Sequence, residues 1–244
     1  MDAARIESIN ALDADEITRR LSGSAADLAA FVRTAAEAGS AEAQAVFGQL
    51  LLDGRGVASD PVAALRWFMA AATQDHLEAI NMVGRCYDLG WGTPIDKVRA
   101  AACFRTAAAR GLDWGKYNFA TALTLGEGIA QDQPAALKLF EQLAAKGNAK
   151  AANFVGSFHE DGWAVLRDVG KAAGFYARAA AGGDFRGQFN HARMLVEAGD
   201  IDAALDWLDR AKVGGNPRFR AQVADWLGKS DEPRLCAAAN GFAA

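Results

Sequence analysis

The chain has 244 residues, 51% hydrophobic and 23% charged, a mixture that supports a continuous buried core and excludes a disordered chain. A formal charge of −4, with no concentrated basic face, excludes a sequence-independent nucleic-acid binder, which must release counterions from phosphates. Ala dominates the apolar residues while Val and Ile are sparse; Ala loses no side-chain entropy in a helix and strands favour β-branched residues, so helix is expected throughout.

The N-terminal stretch "MDAARIESINALDADEITRRL" has acidic residues throughout and no apolar core of secretory length, so a signal peptide is not expected. No apolar run reaches the length of a membrane span. Cys86, Cys103 and Cys236 are odd in number and lack Cys-x-x-Cys spacing, which fits a reducing compartment. A cytoplasmic protein without membrane insertion is the expectation.

Residues 1–39 read as one irregular helix followed by "LAAFVRTAAEAG", whose Phe31 stands 36 residues before Trp67. From residue 40 onward that step of 36 governs the chain. In the first unit, Ser40 caps a helix carrying Val46, Phe47, Leu50 and Leu51 at helical spacing. Gly54-Arg55-Gly56 ends this helix A, Asp60 caps helix B, and Pro61 sits in its first turn, where a missing N–H is harmless. The same columns recur as Gly54, Gly90, Gly126 and Gly162, and as Asp60, Asp96, Asp132 and Asp168. Helix B pairs follow in register: Trp67-Phe68, Cys103-Phe104, Leu139-Phe140 and Phe175-Tyr176. Closing glycines at Gly39, Gly111, Gly147 and Gly183 share the frame, with Asp75 substituting once. Later A helices are expected to be capped by Asp113, Asn148 and Asp184.

After Gly183 the register shortens, and Ala198-Gly199-Asp200 replaces the long turn. The organisation predicted is N-terminal capping helices over 1–39, repeats at 40–76, 77–111, 112–147, 148–183 and 184–215, and C-terminal capping helices over 216–244 that open on Asn216-Pro217. The recurrence also explains Gly54-Arg55-Gly56. A dinucleotide fingerprint needs a preceding strand and a third Gly, and a P-loop needs Gly-Lys-Ser/Thr, whereas here a helix precedes and Val57-Ala58-Ser59 follows. The glycines are turn residues at positive φ.

These columns resemble the Sel-one-like repeat, a long-turn relative of the tetratricopeptide repeat. The unit from Leu77 to Gly111 carries the pattern in Ala79, Val83-Gly84, Tyr87, Gly90, Gly92, Asp96, Phe104 and Ala107-Ala108. The pattern's Tyr is replaced by Leu51, Leu123 and His159, and its second glycine becomes Ala164 in the fourth repeat. The resemblance implies an all-α fold, a right-handed superhelical α/α solenoid of about five helical hairpins with terminal capping helices. It implies a protein-protein interaction adaptor that catalyses nothing and carries no cofactor or metal.

One cluster invites a catalytic reading: His159, Glu160 and Asp161 in "FHEDGW", the basis for an alternative hydrolase or cell-wall-directed enzyme. Consecutive helical residues point in different directions, His159 occupies the pattern's packed Tyr column, and His76 and His191 fall on other elements, so no ligand set converges by spacing. No Ser-His-Asp set or Gly-x-Ser-x-Gly stretch appears. Cys86 and Cys103 share columns with core residues and read as small hydrophobes with free thiols. Trp91 and Trp163 mark loop tips that are either exposed, serving an assembly scaffold through loops or convex face, or packed on the neighbouring loop.

In tetratricopeptide hairpins helix A lines a concave wall, here at positions 42, 45, 49 and 52 and their repeats at steps of 36. The partner-binding residues expected there are Asn81, Arg85, Trp114, Tyr117, Thr121, Lys150, Asn153, Ser157, Arg186, Phe189 and Arg193. Asn81 and Asn153 suit a ligand backbone, Trp114 and Tyr117 apolar anchors, and Lys150, Arg186 and Arg193 carboxylates. Glu42 and Glu78 open the same wall, so a protein or peptide partner is expected to place an acidic segment or free C-terminus toward the basic end.

Overall fold

The computed structural model describes residues 23–243, and among them only α-helices and turns occur, thirteen helices in all. The helix expected before residue 23, and the stretch read against a secretory signal, lie outside the described residues. The chain divides after Gln131 into two compact units. The first holds α1 (Ala25–Glu37), α2 (Ala41–Asp53), α3 (Pro61–Ala72), α4 (Leu77–Leu89), α5 (Lys97–Ala109) and α6 (Asp113–Leu125). The second holds α7 (Gln133–Ala145), α8 (Ala149–Asp161), α9 (Val169–Ala181), α10 (Phe185–Glu197), α11 (Ile201–Gly214), α12 (Pro217–Gly228) and α13 (Pro233–Ala243). Within each unit a helix packs mainly on its neighbours in the chain, as expected of an all-α repeat solenoid. None of the described helices is long and apolar enough to cross a membrane.

Capping follows the columns closely. Asp60, Asp96, Asp132, Asp168 and Asp200 each accept the backbone N–H three residues on and start α3, α5, α7, α9 and α11. Ser40, Asn148 and Asp184 do the same for α2, α8 and α10. One A helix has a cap for which no residue was expected, and another departs from expectation. His76 caps α4 through Nδ1, which accepts from the Ala79 N–H at 3.2 Å. Asp113 does not cap α6; Leu112 holds that place without a side-chain bond. The closing turn at Gly111 (φ 98°) keeps the register, so the residue one step after it becomes the cap whatever its chemistry, and Asp113 lies inside the first turn as negative charge, 3.9 Å from Lys116 Nζ.

The two loop glycines do different work. Gly90 ends α4 in the left-handed region (φ 74°), its N–H bonded to the Cys86 carbonyl. Gly92 (φ 70°) lies so close to α3 that an added Cβ would stand 2.2 Å from the Pro61 carbonyl oxygen. Gly56 and Gly128 approach Ala25 and Lys97 in the same way. Ala25, Pro61 and Lys97 each open a helix 36 residues after the last, so α1 occupies a helix B position, as the alignment of Phe31 with Trp67 implied. At the fourth repeat Ala164 takes this conformation (φ 60°) with its Cβ present.

The core of the first unit joins Ala29, Val32, Phe47, Leu50, Leu65, Phe68, Val83 and Cys86. In the second unit Phe140 stacks on Phe154 with centroids 4.5 Å apart. Toward the C-terminus Leu208, Phe219, Val223, Leu227, Leu235 and Phe242 form one buried cluster.

Candidate interaction surface

In the first unit, helix A residues at the expected columns meet very different environments. Trp114, on the first turn of α6, is 51% exposed and stands edge-on to Tyr117 at 5.8 Å. Thr121 turns its hydroxyl back to the Tyr117 carbonyl. Asn81 is not available to a ligand backbone: it is 6% exposed, and its Oδ1 accepts from Asn118 Nδ2 at 2.8 Å. Arg85 lies over the Trp91 ring, 4.8 Å from its centroid, and both line an open cleft of about 360 Å³ with Gln49, Leu52, Asp53 and Pro61. Trp91 is therefore half-buried against the preceding hairpin, because the close approach of Gly92 to Pro61 seats the loop there.

The second unit spends most of its expected site residues internally. Asn153, 8% exposed, accepts from Asn190 Nδ2 at 2.8 Å, repeating the Asn81–Asn118 bond. Ser157 Oγ lies 3.2 Å from the Tyr176 hydroxyl, which donates to Glu160 at 2.5 Å. Arg193 grips both Glu160 oxygens, Nη1 at 3.1 Å and Nη2 at 2.9 Å. Burial pushes the Glu160 carboxyl up, but the Arg193 and Tyr176 hydrogen bonds and the charges of Arg193 and Arg167 outweigh it and hold the group below the ordinary Glu value. The Tyr176 hydroxyl is raised, first by burial and then by its bond to Glu160. Arg193 is thus committed to a carboxylate of its own chain, contrary to its expected role toward a ligand. Phe189 is committed too, edge-on to Phe219 at 5.8 Å and Trp226 at 5.3 Å, since α12 packs over this side of α10. Lys150 and Arg186 remain exposed, with Arg186 over the Phe185 ring.

The acidic cluster around His159 comes apart. His159 is 8% exposed and stacks on Phe175 at 5.8 Å; its buried Nδ1 has no partner. Glu160 belongs to the Arg193 pair and Asp161 is exposed. Among the described residues no group of three His, Cys, Asp or Glu could hold a metal ion. The three thiols are unpaired, Cys86 buried, Cys103 half-buried and Cys236 exposed. Burial, eased in part by Arg85, pushes the Cys86 thiol up to about 11.

Sequence reasoning missed the asparagine bridges and the cleft. A signal existed for the first: both Asn pairs are 37 residues apart, one off the repeat step. For the second, three columns change character together, from Leu52, Pro61 and Trp91 to Asp88, Lys97 and Glu127 one repeat on.

Hairpins of this length, closed by paired left-handed loop residues and bridged side chain to side chain, define a tandem α/α repeat protein. Residues 41–76, 77–112, 117–148 and 149–184 match the family model of the Sel1 repeat, and the chain belongs to that family. Its repeats typically serve as protein-protein interaction scaffolds and are generally non-enzymatic. A Sel1 repeat protein from Oxalobacter formigenes is similar at a TM-score of 0.72 and 21% identity, over 89% of this chain and 98% of that one. A protective antigen of uropathogenic Escherichia coli strains displaying an SLR fold is similar at 0.66 and 20% identity, over 90% of this chain. This chain spans 49% of that antigen's length. An immunity protein from Pseudomonas aeruginosa is similar at 0.56 and 15% identity, over 83% of this chain and 80% of that one. At these identities the likeness is one of fold.

Proposed function

We propose that this protein is an adaptor that binds a partner protein through the exposed faces of its A helices and catalyses no reaction. The observation that carries the reading is the Trp114–Tyr117 pair. A large aromatic residue 51% exposed, braced edge-on by a second ring, is the kind of rigid apolar anchor that dominates protein interfaces. In the second unit the exposed cations Lys150 and Arg186 suit an acidic segment of the partner, and the role first given to Arg193 falls away. Repeats of this family act as interaction scaffolds, which supports the same conclusion. The test is capture of a partner from native lysate, followed by affinity measurement with purified proteins. Trp114→Ala should weaken binding by roughly 2 kcal/mol or more if the ring is an anchor, with circular dichroism unchanged. A partner that binds Trp114→Ala, Tyr117→Ala and Arg186→Glu as tightly as wild type removes the A helix faces from consideration.

A second reading has its own observation. Val62, Leu89, Ile95, Val98 and Leu125 are exposed apolar residues at the loop ends of the first unit, a surface suited to assembly. Loss of binding on Ile95→Asp with retention on Trp114→Ala would favour it.

A further inference from the structure

At the junction of the second and third repeats, Lys97 Nζ bridges Asp88 at 2.7 Å and Glu127 at 2.9 Å. One repeat earlier, the same three positions hold Leu52, Pro61 and Trp91, and the space is the open cleft rather than an ion-pair lattice. Arg85 lines the same cleft beside Leu52, Pro61 and Trp91, with Gln49 and Asp53 as its other polar members. The counterpart of Arg85 in the fifth repeat, Arg193, gives Nη1 and Nη2 to Glu160 from the repeat before and Nε to Asn190. The position equivalent to Glu160 beside Arg85 is Leu52, which accepts no hydrogen bond. Among the described residues Arg85 forms no ion pair, and its one polar contact is Met82 Sδ at 3.7 Å. Its guanidinium is held on the Trp91 face with donors still open to a planar acceptor.

We infer that this cleft is a docking site for a partner segment in which one glutamate side chain adjoins a large aromatic residue. The partner's carboxylate supplies to Arg85 what Glu160 supplies to Arg193, and its ring lies on Leu52, Pro61 and Trp91. Asp53 also lines the cleft, its carboxylate accepting from Gln49 Nε2 at 2.8 Å; it disfavours added negative charge, and a segment with two carboxylates more than one with a single glutamate. The site rests on the adaptor reading and specifies one place and one chemistry for it.

The probe is the blocked peptide acetyl-Gly-Glu-Phe-Gly-amide, titrated into 15N-labelled full-length protein while the Trp91 indole N–H, assigned with Trp91→Phe, is followed. A saturable shift is expected, with affinity falling about tenfold or more when Glu is replaced by Gln and again when Phe is replaced by Ala. Leu52→Glu should abolish binding with an unchanged or higher melting temperature, because it provides the missing carboxylate within the chain. Arg85→Met should erase the preference for Glu over Gln and keeps the test open if Leu52→Glu fails to fold. No shift at millimolar peptide, equal affinity for the Gln peptide, or full binding by Leu52→Glu overturns the inference. So does tighter binding of a peptide ending in a free Phe carboxylate, or self-association of the protein that Leu52→Glu abolishes. A captured partner that binds Leu52→Glu normally but loses affinity on Trp114→Ala sinks the cleft and leaves the adaptor standing.

Discussion

Replacing Gly92 with alanine would put a methyl carbon 2.2 Å from the Pro61 carbonyl oxygen, 2.5 Å from its carbon and 2.8 Å from Val62 Cα. All three are backbone atoms at the start of α3, so the clash is relieved only by moving that helix or the loop. The same change at Gly90 has the same backbone penalty (φ 74° against 70°), but its nearest neighbour is the Ile95 side chain at 3.1 Å, which is exposed and can turn away. Gly90→Ala should therefore cost about 1 kcal/mol, the left-handed penalty alone. Gly92→Ala should cost ~2–4 kcal/mol, because overpacking adds ~1–3. For a chain of this size these correspond to losses of ~2–4 °C and ~5–15 °C in melting temperature, read by differential scanning calorimetry. Ala164→Gly at the equivalent fourth-repeat position should instead gain about 0.5 kcal/mol, as relief of the left-handed strain exceeds the added chain entropy. Equal losses for Gly90→Ala and Gly92→Ala would refute the close-approach argument, leaving only a shared preference for glycine.

Arg193→Met should destabilise the protein by about 1.5–3 kcal/mol, since a half-buried carboxylate loses both charge-assisted bonds, whereas Arg186→Ala should stay within about 0.5 kcal/mol; urea denaturation distinguishes them, and equal effects would contradict the pairing. Because the Glu160 carboxyl sits below its unfolded-state value, its contribution is complete above roughly pH 5 and is lost as pH falls through the folded-state value. Wild type and Glu160→Gln should accordingly converge in melting temperature on acidification, and a constant gap would count against the shift. His159→Tyr should be neutral or stabilise by up to about 1 kcal/mol, because the unpaired buried Nδ1 disappears while a ring remains to stack on Phe175; a loss beyond that in thermal melts would show that the imidazole is needed. Brief native treatment with iodoacetamide should label Cys236 and spare Cys86, whose thiol is buried and raised; equal labelling in a mass spectrum would contradict the core placement.

What the sequence determined by itself was the hairpin and its punctuation. Capping and left-handed turns are satisfied within a few residues, so Asp60, Asp96, Gly54 and Gly90 state their roles through identity and spacing alone. Even where the residue changed, as at Asp75 and Ala164, the column held and the backbone followed it to positive φ. The helix A face was legible as a set of positions, but not as a set of available groups. Whether Asn153 or Arg193 faces a ligand or a neighbour depends on what the next repeat brings within 3 Å, and that distance is set by how hairpins stack. Asn190 and Glu160 are close to these residues in space while 37 and 33 positions away in the chain. Arg85 and Arg193 occupy one column and read alike in one dimension. Packing decides which neighbour stands beside each: Glu160 closes over Arg193, while Leu52, unable to accept a hydrogen bond, leaves Arg85 with an open cleft.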